Sequence, residues 1–263
     1  MNRLRAGLRV GAAAIAVTVG ALVIVVSGLL PLRVAGVRPA SWLVVGLAWL
    51  VLRVLGVRVV CTRPQVLRRH RGLLFPNHLT FLDPLVLLSL TPARFLAALE
   101  VAKVPVIGAI TDSMDTIYVA RKSRESRQAV RQAVAAAYDR AAQPPIVLFP
   151  EGRLGPGDAL YPFRYGAFAI AVEHGIAYLP IGLRYRPVEV AVWHGAAGES
   201  LWSVLWRVAG RRGPLTVEVL PQAPVTPAPG DDPVALAERT QGQLAQTLGL
   251  PVNLNPPPPR LVH

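Results

Sequence analysis

The chain has 263 residues, of which 52% are hydrophobic, and a net charge of +13 at pH 7. A mean hydropathy of +0.42 is high for a soluble protein and points to membrane contact. The single cysteine, Cys61, excludes an internal disulfide framework and a cysteine metal cluster, and no metal site is expected. The charge is almost wholly arginine, the only lysines being Lys103 and Lys122. It favours anionic lipid surfaces, acidic carrier proteins or phosphate-bearing substrates. Nucleic acid is not the expected partner, because no recognition motif appears and the charge is interleaved with long apolar runs.

Arg3, Arg5 and Arg9 open the chain, and residues 10–32 then contain no charged side chain. That run is long enough for a membrane span of about 20 residues. It exceeds the roughly 7–15 apolar residues of a signal peptide, and no convincing cleavage site follows, so an uncleaved anchor is expected. Arg33 and Arg38 come next, then a second apolar stretch over 41–52. This piece is too short to cross comfortably and is expected to lie in the interface or re-enter, with Trp42 and Trp49 at headgroup level.

A globular part starts near residue 57. Short apolar runs bounded by turn residues predict strands over 57–61, 73–76, 94–99, 116–120, 146–149, 178–184, 189–193 and 215–220. Helices are predicted over 105–110, 123–142, 163–174 and 201–208. In 123–142 the stripe is Ala129, Val130, Ala133, Val134, Ala137 and Tyr138, and Pro144-Pro145 stops it. Arg68-Arg69-His70-Arg71 reads as a solvated basic turn. Residues 221–229 form a Pro-rich linker, and Asp231-Asp232-Pro233 caps a terminal helix to about Leu248. The tail, with prolines at 256–259, should be extended or disordered. Strands alternating with helices predict an α/β fold, a mixed central sheet flanked by helices. The expected division is a membrane anchor (1–56), a main domain (57–220), and a linker, terminal helix and tail (221–263).

The chain is organised around Phe75-Pro76-Asn77-His78-Leu79-Thr80-Phe81-Leu82-Asp83-Pro84. Five residues of ideal helix turn about 500°, which would leave His78 and Asp83 roughly 140° apart. Asp83-Pro84 suggests instead that a helix starts there, with Asp83 as N-cap and Pro84 as first helical residue. His78 then lies on the preceding turn, where the chain can fold back to bring carboxylate against imidazole. That is a base with its orienting group, able to deprotonate a substrate hydroxyl without a nucleophilic side chain. The competing reading is a buried histidine hydrogen-bonded near a helix cap. Three more clusters stand out. Thr116-Ile117-Tyr118-Val119-Ala120-Arg121-Lys122 delivers two cations at a strand end. Phe149-Pro150-Glu151-Gly152-Arg153 breaks a buried strand into a charged loop, where α/β folds commonly place functional groups. There Arg153 could bind phosphate, and Glu151 could take substrate hydroxyls or hold an arginine. Phe163-Arg164-Tyr165-Gly166-Ala167-Phe168 enters a helix. Taken singly, these are also a surface ion pair, a strand-end turn and a helix N-terminus.

In order and spacing the clusters resemble the glycerolipid acyltransferases typified by 1-acylglycerol-3-phosphate acyltransferase, over roughly residues 50–220. Asn77 to Asp83 looks like the family's first block, a histidine and an aspartate separated by four residues. Thr116 to Arg121 looks like its second, and Phe149 to Arg153 its third. Tyr178-Leu179-Pro180-Ile181 looks like its fourth, with a proline inside an apolar strand. The chain departs from the pattern in three places. Asp115 stands where the second block has glycine, Ala120 where it has an acidic residue, and Arg153 follows Gly152 directly. These departures touch the acceptor-phosphate region and leave the acceptor open.

The resemblance implies a membrane-bound O-acyltransferase with no cofactor, taking its acyl group from acyl-CoA or acyl carrier protein. His78 and Asp83 would be catalytic. Asn77, Arg121, Lys122, Glu151, Gly152, Arg153 and Pro180 would bind substrate. The implied acceptor is 1-acylglycerol-3-phosphate, giving phosphatidic acid at the bilayer, on the cytoplasmic face of the plasma membrane. The alternatives are another lysolipid acceptor (a lyso-ornithine lipid or lysophospholipid), thioester hydrolysis, or a non-catalytic basic membrane-binding protein.

Overall fold

A computed structural model describes residues 2–28, 32–34, 36–104, 107–119, 124–193 and 199–254. Two helices, α1 (Arg3–Gly28) and α2 (Pro39–Leu55), lead into β1 (Val57–Cys61), α3 (Pro64–Arg69) and β2 (Leu73–Pro76). Next come α4 (Asp83–Leu88), β3 (Arg94–Ala98), α5 (Leu99–Ala102), α6 (Ile107–Ser113), β4 (Ile117–Val119) and α7 (Arg124–Arg140). The chain continues through β5 (Ile146–Val147), α8 (Tyr165–Glu173), β6 (Tyr178–Arg186) and α9 (Val188–Ala191). It closes with α10 (Leu201–Ala209), β7 (Leu215–Pro221) and α11 (Pro233–Leu248). The seven strands form one sheet in the order β1-β7-β6-β2-β5-β3-β4. Every pairing is parallel except β6 with β7. This is the mixed, helix-flanked sheet expected.

Alternation along the strands feeds both faces. In β2, Leu74 faces the core shared with α2 and α4, while Leu73 and Phe75 face the core shared with α8 and α11. A central strand covered on both sides reads as a continuous apolar run, as 73–76 does. The boundaries expected at 56 and 220 cut through these cores. Ala40, Val44 and Leu52 of α2 share one with Leu74 and Ile181. Leu236 and Leu244 of α11 share the other with Phe75 and Tyr178.

Several elements differ from the sequence reading. Residues 189–193 were expected as a strand, but 188–191 make the single turn α9. No place beside its chain neighbours was open to such a strand: β6 already lies between β7 and β2, and β7 between β1 and β6. Arg68 and Arg69 end α3, with His70 as its C-cap, so the basic stretch is helical where a turn was expected. Cations suit that negative end of the dipole. Leu82 is the N-cap of α4, and Asp83 is its first residue. The 221–229 segment is not a free linker. Val225 and Tyr178 exchange backbone hydrogen bonds of 2.9 and 2.8 Å, covering the part of β6 that β7 leaves unpaired. The proline tail lies outside the described residues.

α1 is long and apolar enough to cross a bilayer. It packs on α2 through small residues: Ala13 and Ala21 are buried, and a Cβ at Gly20 would come 2.8 Å from Leu47. Both its ends rest on the same domain. Arg9 donates to the carbonyl of Ala209 at 3.1 Å, and Gly28 lies against Ser113 at the other end. The helix long enough for the span expected over 10–32 is thus present, and with α2 it forms a helical hairpin packed on the domain. It turns Leu8, Ile15, Val19, Leu22, Trp42 and Trp49 outward.

Candidate active site

The site is built where β2 ends. Asn77 is fully buried and acts as one more strand residue after the chain has turned away. Its side-chain oxygen accepts from Leu183 N at 2.6 Å, and its Nδ2 donates to Leu183 O at 3.1 Å. The next residues wrap around a carboxylate. Asp83, with no exposed surface, accepts from Leu79 N at 2.6 Å and Thr80 N at 2.9 Å. The chain thus folds back as the Asp-Pro start suggested, and His78 Nδ1 donates to Asp83 Oδ2 at 2.8 Å. The imidazole lies on the ring of Phe149, with centroids 3.8 Å apart and planes at 19°. Its side chain keeps 19% of its surface exposed, and Nδ1 is engaged, so Nε2 is the nitrogen left for chemistry.

A fourth donor reaches the carboxylate from β6. The Tyr185 hydroxyl donates to Asp83 Oδ1 at 2.7 Å. Burial first, then the negative charge of Asp83, holds this phenol well above the ordinary tyrosine pKa, so it remains a donor. Nothing in the motif pointed to Tyr185, which lies 102 residues from its partner. The inward phase of β6, shared with Ile181 and Leu183, was the available signal.

The loop after β5 closes over the same turn. Glu151 is buried, and both its oxygens are occupied: Oε1 accepts from His78 N at 2.7 Å, and Oε2 from Tyr161 N at 3.0 Å. Gly155 N donates to His78 O at 2.6 Å. Burial, the largest influence, raises the Glu151 carboxyl to about 7. Because this folded-state value lies above the ordinary one, the neutral carboxyl is favoured by folding. Its stabilisation is full below about 4.5 and is lost as pH rises toward 7. Over that window the parent should lose roughly 3 kcal/mol relative to Glu151→Gln. Melting both proteins from pH 4 to 8 checks this; curves that stay parallel would contradict it.

Three residues expected to bind substrate are therefore placed differently. Asn77 and Pro180 are buried within the β2–β6 pairing, and Glu151 bonds two main-chain amides. All three are buried and shape the site through the main chain around it. Gly152, at φ +65°, lets the loop turn while the Arg164 side chain crosses it; a Cβ would come 2.8 Å from Arg164 Nε. Arg153 lies over the Tyr161 ring, 4.4 Å from its centroid. Arg121 and Lys122 lie outside the described residues. Asp115 takes the left-handed φ of 55° that suits the family's glycine. Its carboxylate faces Arg33 at 3.6 Å and Arg38 at 3.3 Å. That departure ties down the α1–α2 connection.

Residues 58–184 match the family model described as Acyltransferase, spanning the His78–Asp83 turn, the Glu151 loop and most of β6. The chain belongs to the glycerolipid acyltransferase family. Members similar to it include the human lysophospholipid acyltransferase LPCAT4, 32% identical over 213 residues, 79% of this chain and 40% of the relative. The chain thus spans about two fifths of that relative's length. The 1-acyl-sn-glycerol-3-phosphate acyltransferase of Neisseria meningitidis serogroup B is 26% identical over 193 residues, 73% of this chain and 74% of the relative. In fold, the chain is similar to the crystal structure of the 1-acyl-sn-glycerophosphate acyltransferase PlsC from Thermotoga maritima. The TM-score is 0.69 at 18% identity, covering 94% of this chain and 95% of that one.

Proposed function

We propose that the protein is a membrane-attached O-acyltransferase that esterifies the free hydroxyl of a lysophospholipid, with 1-acylglycerol-3-phosphate as the acceptor. The observation that carries this is the 2.8 Å bond between His78 Nδ1 and Asp83, which leaves Nε2 available beside the loop of Glu151 and Arg153. Nε2 takes the acceptor's hydroxyl proton as that oxygen attacks the thioester carbonyl of acyl-CoA or acyl carrier protein. The tetrahedral intermediate collapses with cleavage of the C–S bond. The imidazolium returns the proton to the leaving thiolate, so no acyl-enzyme forms and His78 is regenerated. Asp83 holds the ring and faces the positive charge as it forms. The outward apolar face of α1 and α2 suits attachment within one leaflet, which brings a one-chain lipid to the site on the cytoplasmic side.

Arg153 supplies a cation for the acceptor phosphate, joined by Arg121 and Lys122. Arg153→Ala should raise the acceptor KM about tenfold, the loss of one charge-assisted contact, with the donor KM little changed. Initial rates with each substrate varied in turn check this; an unchanged acceptor KM removes Arg153 from the site. The activity itself is tested by incubating the purified chain with labelled lysophosphatidate and acyl-CoA. Labelled phosphatidic acid is the expected product. Free fatty acid without ester would indicate a hydrolase. The likenesses to LPCAT4 and to a lyso-ornithine lipid O-acyltransferase favour a second reading, a different lysolipid acceptor, which the same assay reads with lysophosphatidylcholine and a lyso-ornithine lipid.

A further inference from the structure

We propose that a pair of arginine-lined clefts beside the start of α1 forms a second, non-catalytic site for the phosphate of an anionic membrane lipid. The clefts hold about 560 and 500 Å³. Arg207, Arg211 and Arg212 line the first, and Arg9, Arg53 and Arg58 the second. Among the described residues no carboxylate lines either, and Arg207 alone of these arginines is ion-paired, with Glu199.

The site is built, not merely charged. Arg9 is held by two carbonyls, Ala209 O at 3.1 Å and Arg211 O at 3.2 Å. Its guanidinium lies on Gly56, where a Cβ would come 2.8 Å from Nη1 and where φ is +81°. Those bonds use part of its five-donor fork. Arg211 Nε is buried and has no hydrogen-bond partner among the described residues. An anion in the first cleft gives that donor an acceptor, and arginine suits phosphate through paired N–H bonds.

Its surroundings set the depth. On α1, Leu4 and Leu8 alternate with Arg5 and Arg9 and are 74% and 68% exposed. Arg53 lies 6.0 Å over the ring of Trp49, which is 55% exposed. Arginine beside exposed tryptophan, at the rim of an apolar helical face, is the arrangement of a headgroup layer. The clefts lie where β1 and β7 begin, and β1 stands three places from β2 in the sheet. At about 4.8 Å per strand that is roughly 14 Å from the strand that leads into His78. An acceptor hydroxyl and its own phosphate do not span that distance, so the occupant is a separate lipid. It would fix the tilt of the domain on the membrane.

The test is lipid retention by the full chain purified in mild detergent, read by native mass spectrometry with added phosphatidylglycerol or phosphatidylcholine. Phosphatidylglycerol should be retained and phosphatidylcholine not. Arg9→Gln should lower retention at least about fivefold, the contribution of one interfacial arginine. Arg58→Gln with Arg212→Gln should do the same, and both side chains are exposed, so folding is spared. Arg3→Gln, an equal charge loss on the same helix outside both clefts, should change it less than about twofold. Equal losses in Arg3→Gln and Arg9→Gln would reduce the clefts to diffuse charge. Displacement of the lipid by coenzyme A, or retention of an acidic carrier protein in its place, would overturn the assignment. Because the readout is binding, His78→Ala should retain lipid like the parent, whatever its turnover.

Discussion

His78→Ala should lower acyl transfer by about 10²–10⁴-fold, the contribution of a positioned general base. The fold should survive. Asp83 would keep three of its four donors, Leu79 N, Thr80 N and the Tyr185 hydroxyl, so the turn stays closed. The loss is one hydrogen bond and the stacking on Phe149, about 1–2 kcal/mol together, at a side chain that is partly exposed. Turnover of labelled lysophosphatidate, with a melting curve on the same preparation, separates chemistry from folding. Near-parental turnover would dismiss His78 as the base and with it the proposed mechanism.

Asp83→Asn is the second large effect, and it separates charge from architecture. Asparagine can place its oxygen where Oδ2 accepts from His78, Leu79 and Thr80. Its amide then meets Tyr185, whose hydroxyl turns from donor to acceptor. The turn persists, but a neutral group faces the imidazolium. Turnover should fall at least about 10²-fold with substrate KM nearly unchanged. Asp83→Ala strands two buried amides as well, at about 1–3 kcal/mol each, and should cost stability that Asp83→Asn does not. Tyr185→Phe removes a donor without removing the charge, so its effect should be the smallest of the three. If Asp83→Asn turned over like the parent, the carboxylate would be a structural pin alone.

Sequence spacing made much of this site legible. The His78–Asp83 interval, the Asp-Pro helix start and the Glu151–Arg153 strand break all lie within short stretches whose geometry is local. The contacts of Asn77, Glu151 and Pro180 were not legible, for a common reason. A polar or unusual residue in a motif can contact substrate or complete the main chain, and only the partner's position distinguishes the two. Asn77 bonds Leu183 across 106 residues, and Glu151 bonds His78 across 73. The strand expected at 189–193 failed on similar grounds, because apolar alternation does not reveal whether the places beside neighbouring strands are already taken. Val225, inside a proline-rich stretch that read as a linker, fills an edge that the chain's own composition did not show.

The amino-acid order alone determined the α/β class, the two apolar N-terminal segments, the helix that begins at Asp83, and the meeting of base and carboxylate. These follow from periodicity, capping and proline, which act over a few residues. Tertiary structure decided the rest: Tyr185 behind Asp83, the Glu151 clasp on the His78 amide, α1 laid along the domain, and arginines of α1, of the α2–β1 junction and of the end of α10 gathered into two clefts. Each joins groups far apart in sequence. Such contacts depend on strand order and helix packing, which put distant segments side by side and leave no mark in local spacing.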